Sequence, residues 1–157
     1  MVDGLFGLGQ TVGEEAMKLG IEKASKHGVS VVALRNAGHL GRIGDWAEMA
    51  TEAGMISLHF VNTSGYGLLT APFGGIDRRL SANPLAAGVP VKDSLPIVLD
   101  ISTCAIAEGK LKVALNKGVD VPPNCIIDNQ GLPTTDPAHF YTDPPGVLLT
   151  FGGHKGY

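Results

Sequence analysis

The sequence predicts an α/β fold, and three observations carry that prediction. Residues 10–27 show amphipathic helical spacing: Val12, Ala16, Leu19 and Ala24 form an apolar stripe, and Glu14, Glu15, Lys18, Lys23 and Lys26 a solvated face. The next run, Val29 to Arg35, is apolar and β-branched, which is strand chemistry. Glycine (22) and proline (10) together make up about a fifth of the 157 residues, which calls for many tight turns rather than a helical bundle. With 44% hydrophobic residues there is enough apolar material for a core, and the length fits one domain.

The elements follow in order. Gly28 is placed to cap the first helix. After the strand at 29–35 comes a glycine-rich loop, then a helix over 45–53 stopped by Gly54. Met55 to Val61 reads as a second strand, with Ile56, Leu58 and Phe60 in alternation. Two strands separated by a helix predict a parallel crossover unit at this point. Residues 62–85 form a long segment rich in Gly, Ser, Thr, Asn and Pro. A loop this long inside a compact domain is usually functional or disordered, and Leu68, Leu69, Phe73 and Leu80 argue against disorder.

Short strands are predicted at 86–91 and 96–100. A helix follows over 103–117, with Ser102 and Thr103 as candidate N-caps, Ala107, Leu111, Ala114 and Leu115 facing the core, and Gly118 as its stop. Asp128–Gly131 and residues 133–137 read as turns, and Gly146 to Phe151 as a last strand. Gly152-Gly153-His154-Lys155-Gly156-Tyr157 has the character of a ligand-approaching loop.

Composition excludes several classes. The net charge is −3 and the basic residues are scattered, so nothing predicts nucleic-acid binding. No apolar run approaches bilayer length, and MVDGLFGLGQ has no basic leader region. Cys104 and Cys125 lack metal-ligand spacing, so no metal site is predicted, and Cys104 reads as a small buried residue. The chain is expected in a reducing, cytoplasmic compartment.

The stretch Gly38-His39-Leu40-Gly41-Arg42-Ile43-Gly44 is the chemical focus. It sets one histidine between glycines where a strand gives way to a helix, the usual place for chemistry in α/β folds. Histidine is suited to moving a proton near neutral pH, although a lone loop histidine is also a common structural residue. The spacing is neither the dinucleotide fingerprint GxGxxG nor a P-loop. A hydrolase pairing His39 with Ser64 or Ser102 has no GxSxG elbow to support it.

Seven stretches taken in order resemble one family. They are Asp3-Gly4 with Leu8-Gly9-Gln10; Asn36-Ala37-Gly38-His39-Leu40-Gly41 with Gly44; Ala71-Pro72-Phe73-Gly74-Gly75; Ala82-Asn83-Pro84-Leu85-Ala86 with Pro90; Val98-Leu99-Asp100-Ile101-Ser102-Thr103; Asp128 with Gly131-Leu132-Pro133-Thr134-Thr135-Asp136-Pro137; and the terminal Gly152-Gly153-His154-Lys155-Gly156-Tyr157. Together they resemble the malate/L-lactate dehydrogenase-like NAD(P)-dependent oxidoreductases, relatives of sulfolactate and ureidoglycolate dehydrogenase. The resemblance implies a mixed β-sheet flanked by helices, a non-Rossmann NAD(P)-binding fold. Family members are longer, so the chain is expected to be the central NAD(P)-binding part of a longer architecture.

By that resemblance, His39 is the proton acceptor as hydride leaves a small 2-hydroxy acid, and the donor in reduction. The cofactor, NAD or NADP, would be held at Thr63 or Ser64, at the strand end Asp100-Ile101-Ser102, and by Lys155 pairing with a phosphate. The residues' own alternatives stand beside this: Asp100 as a loop-ordering residue and Ser102 as a helix cap. Arg42 and Asn83 are candidate substrate or pocket residues, whereas Arg78 and Arg79 read as solvated surface. The resemblance further implies a homodimer or self-association through uncovered apolar faces. A remnant that binds nucleotide or a protein partner without turnover is the alternative function.

Overall fold

The computed structural model describes residues 1–63 and 67–155 and shows a mixture of helices and small sheets. The elements run β1 (Val2–Gly7), α1 (Gly9–His27), β2 (Leu34–Ala37), α2 (Gly44–Glu52), β3 (Ser57–Phe60), β4 (Leu85–Val89), β5 (Ile97–Ile101), α3 (Glu108–Lys117), β6 (Ile126–Ile127), β7 (Pro133–Thr134) and β8 (Val147–Leu148). Single 3-10 turns cover Pro137–Tyr141 and Gly153–Lys155. The chain forms two compact units, residues 1–60 with 85–100 and residues 61–84 with 101–157. Parallel and antiparallel pairings both occur, but in three separate sheets rather than one.

In the first unit the parallel crossover is β1-α1-β2, not the pair of strands flanking α2. β1 pairs with β2 through Val2↔Leu34, Asp3↔Arg35 and Gly7↔Ala37. Positive φ at Leu5 (50°) and Phe6 (57°) interrupts the ladder between Asp3 and Gly7 and hides β1 from a period-two reading. The strand expected at 29–35 is confined to Leu34–Ala37, because Val29 and Val31 lie in solvent at 73% and 93% exposure. β3 pairs antiparallel with β4 (Leu58↔Ala87, Phe60↔Leu85), and β5 completes that sheet.

α1 ends as its sequence demands, with Gly28 in the left-handed conformation (φ 81°) donating to Ala24 O. Its buried face differs from the expected apolar stripe. Gly9, Gly13, Ala16 and Gly20 are buried, while Leu19 is 36% exposed. Small residues face inward because neighbouring segments approach the helix more closely than a large side chain allows. α2 lies on the β4 face that carries Ala86 and Gly88, where a Cβ on Gly88 would come 2.7 Å from Ala47 O. The other face of this sheet exposes Leu58, Phe60, Ile97 and Leu99.

On the α2 side of β3, His59 Nε2 lies 3.0 Å from Ser57 Oγ, and burial pulls its imidazole below the ordinary 6.5. The unfolded chain therefore takes up this proton at a higher pH than the folded one. Stability from this group is lost as pH falls through about 6.5 toward the lower folded value. In His59→Gln, the gap in urea midpoint between about pH 8 and about pH 5.5 should narrow, and an unchanged gap would show that His59 does not drive it.

The second unit packs around Phe140, Leu111, Ile126 and Leu148, with Cys104 and Cys125 buried as free thiols in the same cluster. β6 is flanked antiparallel by β7 and β8, in registers Ile126↔Thr134 and Ile126↔Leu148. The expected strand at Gly146 to Phe151 shrinks to Val147–Leu148. α3 begins at Glu108, not at 103, so Ser102 and Thr103 are not its caps, and Ala107 is exposed rather than in the core. Gly118 (φ 63°) stops α3 as expected.

The long loop after residue 61 is ordered where it is described. Thr70 and Ala71 are buried, and Thr70 bridges Leu80 and Leu148. Arg78, expected at the solvated surface, is half-buried. Its guanidinium donates to Phe140 O (2.6 Å) and Gly146 O (2.7 Å) and lies 4.1 Å from the Phe140 ring centroid. Arg79 is exposed, and its guanidinium pairs with neighbouring Asp77.

Candidate functional site

His39 stands on the loop between β2 and α2, with its side chain exposed. Three hydrogen bonds shape that loop. Gly38 N–H donates to Gly7 O (3.0 Å), and the Trp46 indole donates to Leu40 O (3.2 Å). Gly41, at φ 76°, turns its N–H onto His39 Nδ1 at 3.0 Å. A side chain at 41 would strain this left-handed turn. Asp3, before the loop, accepts from Leu5 N–H, Asn36 Nδ2 and Arg35 Nε, each at 3.1 Å, and the first two hold its carboxyl below the usual range.

The Gly41 bond has a chemical consequence. Nδ1 must offer its lone pair, so the neutral ring carries its proton on Nε2. His39 is thus set as a donor at Nε2.

Arg42 and Asp100 come together at the start of α2. Arg42 reaches Asp45 (2.7 Å), Glu48 (2.7 Å) and Asp100 (Nε to Oδ2, 3.3 Å). The bonds to Glu48 and then Asp45 push the guanidinium further up, and Arg42 in turn draws Glu48 down. Asp100 Oδ2 also accepts the Gly44 N–H at 3.1 Å, a carboxylate at a helix N-terminus. A Cβ on Gly44 would sit 2.7 Å from both Arg42 Nη2 and Asp100 Oδ2, so glycine is what lets this cluster close.

In the second unit Asn83 and Thr63 are joined. Asn83 Oδ1 accepts the Thr63 N–H at 3.4 Å, and Asn83 N–H donates to Thr103 Oγ1 at 3.0 Å. Ser102 Oγ accepts the Cys104 N–H (3.3 Å) and touches Cys104 Sγ (3.0 Å). Ile101, the last residue of β5, is half-buried. Lys155 is exposed in the last 3-10 turn, next to His154, which makes an edge contact with Phe73 at 6.0 Å. Ser64 lies outside the described residues.

Sequence reasoning proposed His39, Arg42 and Asp100 but did not assign the supporting contacts that Gly9, Gly44 and Trp46 make. The signal was the density of glycine on both sides of the loop, which marks close backbone approach as well as turning.

The molecule is therefore a mixed α/β protein whose glycine-bracketed histidine loop opens between a parallel strand and a helix. A model of the malate/L-lactate dehydrogenase family matches residues 1–157, and the chain belongs to that family. It is 52% identical over 156 residues to hydroxycarboxylate dehydrogenase B of Escherichia coli K12, covering 99% of this chain and 43% of that protein. It is 45% identical to an L-lactate dehydrogenase of Cupriavidus necator, over 99% of this chain and 45% of the other. The solved sulfolactate dehydrogenase from Methanocaldococcus jannaschii superposes with a TM-score of 0.81 at 44% identity, covering 99% of this chain and 43% of that one. The chain thus spans less than half the length of these relatives.

Proposed function

We propose that the chain is the central part of an NAD(P)-dependent oxidoreductase. It would transfer hydride between a nicotinamide and C2 of a small 2-hydroxy acid of the malate or lactate type. The observation that carries this reading is the exposed His39 on its glycine-bracketed loop between β2 and α2. In reduction, Nε2–H donates to the 2-oxo oxygen. Complete transfer of that proton needs a second proton on Nδ1, taken up from water by the exposed ring, which breaks the Gly41 bond and leaves a neutral ring after transfer. In oxidation, Nε2 takes the hydroxyl proton once Nδ1 carries the ring proton.

The residues that fit an NAD or NADP are those with exposed donors. Lys155 offers a point charge for a phosphate, and Thr63 an exposed hydroxyl; Ser64, the next residue in sequence, is the other candidate. Asp100 and Ser102 are engaged within the chain, so this strand end, Ile101 included, would act chiefly through its shape and backbone. The cofactor supplies the hydride chemistry. This is binding by loops, without the Rossmann fingerprint.

Asn83 orders the Thr63 turn in this reading. Arg42 would meet a substrate carboxylate only by exchanging one of its three acidic partners. The bare sheet face with Leu58 and Phe60 supports self-association as a homodimer. A cytoplasmic location belongs to the same proposal; among the described residues no helix is long and apolar enough to cross a membrane.

The testing experiment is a fluorescence titration of the chain with NADH and with NADPH, followed by turnover with 2-oxo acids. Sedimentation velocity on the same preparation reads its assembly. Saturable binding with turnover is expected. Binding without turnover would favour the non-catalytic reading, and no binding at millimolar cofactor would sink the cofactor site.

A further inference from the structure

The geometry assigns Gly9 a role as the positioning residue for His39, an inference that rests on His39 being the proton-transfer group. Gly9 opens α1, with one residue, Leu8, between it and the end of β1. A Cβ at this position would lie 2.2 Å from His39 O, 2.4 Å from Gly38 O and 2.4 Å from His39 C. All three atoms are backbone, so no rotamer change relieves the overlap; the histidine loop itself would have to move. Gly9 is a helical residue, so the requirement is space rather than an unusual φ, and alanine would favour the helix if room existed.

One turn further along the same helix face, Gly13 repeats the arrangement. A Cβ there would lie 2.9 Å from Trp46 Cζ2. Trp46 in turn holds Leu40 O through its indole N–H. The loop is therefore fixed at each successive residue. Gly38 is tied to the Gly7 carbonyl, His39 is seated on Gly9, Leu40 is tied to the indole, and Gly41 is bonded to the imidazole. Gly9 and Gly13 form the floor on which the ring's orientation depends. Displacing a proton-transfer group by about 1 Å is enough to cost about 100-fold in rate.

The test compares wild type with Gly9→Ala, Trp46→Phe and Leu8→Ala. The last alters an exposed side chain next to Gly9. Steady-state kinetics with NADH and a 2-oxo acid are combined with long-range 1H–15N NMR of the His39 ring. Gly9→Ala should lower kcat about 100-fold, with far-UV circular dichroism and the Kd for NADH unchanged. Its ring signals should leave the Nε2–H tautomer pattern of wild type. Trp46→Phe keeps a ring over Gly13 but frees Leu40 O, and should give a several-fold loss in kcat without a change in KM for NADH. Leu8→Ala should match wild type.

Wild-type kcat and tautomer in Gly9→Ala would overturn the proposal. Should Gly9→Ala fail to fold, wild-type kcat and ring signals in Trp46→Phe would overturn it instead. Absence of turnover in wild type would refute the catalytic reading of His39, while the NMR comparison would still decide whether Gly9 sets the ring.

Discussion

His39→Ala should reduce hydride transfer by about 100- to 10,000-fold while leaving NADH affinity as it was, the range over which a positioned acid–base group contributes. The side chain is exposed, and among the described residues its hydrogen-bond partner is the Gly41 N–H, so its removal should scarcely affect stability. Water can replace the imidazole on Gly41, but it cannot hold a proton at a fixed point against the substrate oxygen. The loss should therefore fall on kcat. His39→Gln is the sharper companion, because it keeps polarity and volume without a titratable nitrogen, and it should be as slow as the alanine variant. Added imidazole should restore part of the activity to His39→Ala. Activity within a few-fold of wild type in both variants would remove His39 from the chemistry and leave its loop a structural feature.

Phe140→Ala should destabilise the second unit by about 3–5 kcal/mol, the usual cost of deleting a buried aromatic ring. Phe140 is 2% exposed and packs with Leu111, Ile126 and Leu148. Its ring also underlies Arg78, whose guanidinium clamps the Phe140 and Gly146 carbonyls, and it meets Tyr141 edge-on at 5.0 Å. Burial already disfavours the charged form of Arg78. Losing the ring takes away a cation–π partner as well as apolar volume. Phe140→Leu keeps most of the volume and should cost distinctly less. Urea unfolding followed by far-UV circular dichroism measures both. A Phe140→Ala loss below about 1 kcal/mol would mean that the cavity collapses and that Arg78 finds another partner.

Much of the helical structure was legible because its signals are local. Gly28 and Gly118 adopt the left-handed conformation that ends a helix, and Gly54 follows α2 with φ 73°. α1 and α2 begin within a residue of where their patterns start. The start of α3 was misplaced because Ser102 and Thr103, good caps by type, are committed elsewhere. Thr103 takes the Asn83 N–H across twenty residues, and Ser102 takes that of Cys104. The candidate site was legible as a set of residue types, His39, Arg42 and Asp100, but not as a network. That Arg42 is shared by three carboxylates depends on the end of β5 returning to the start of α2.

The sequence by itself determined the α/β class, the family, the glycine stops of the helices and the position of the histidine loop, because each signal rests on residues close together in the chain. Tertiary structure decided the rest. It made β1 the parallel partner of β2, paired β3 with β4, and turned α1 so that glycines rather than Leu19 face inward. The reason is physical: strand pairing and backbone-to-backbone approach are settled by which distant segments arrive. A glycine needed for space, as at Gly9 and Gly44, cannot be told from one needed for a turn until its neighbours are known.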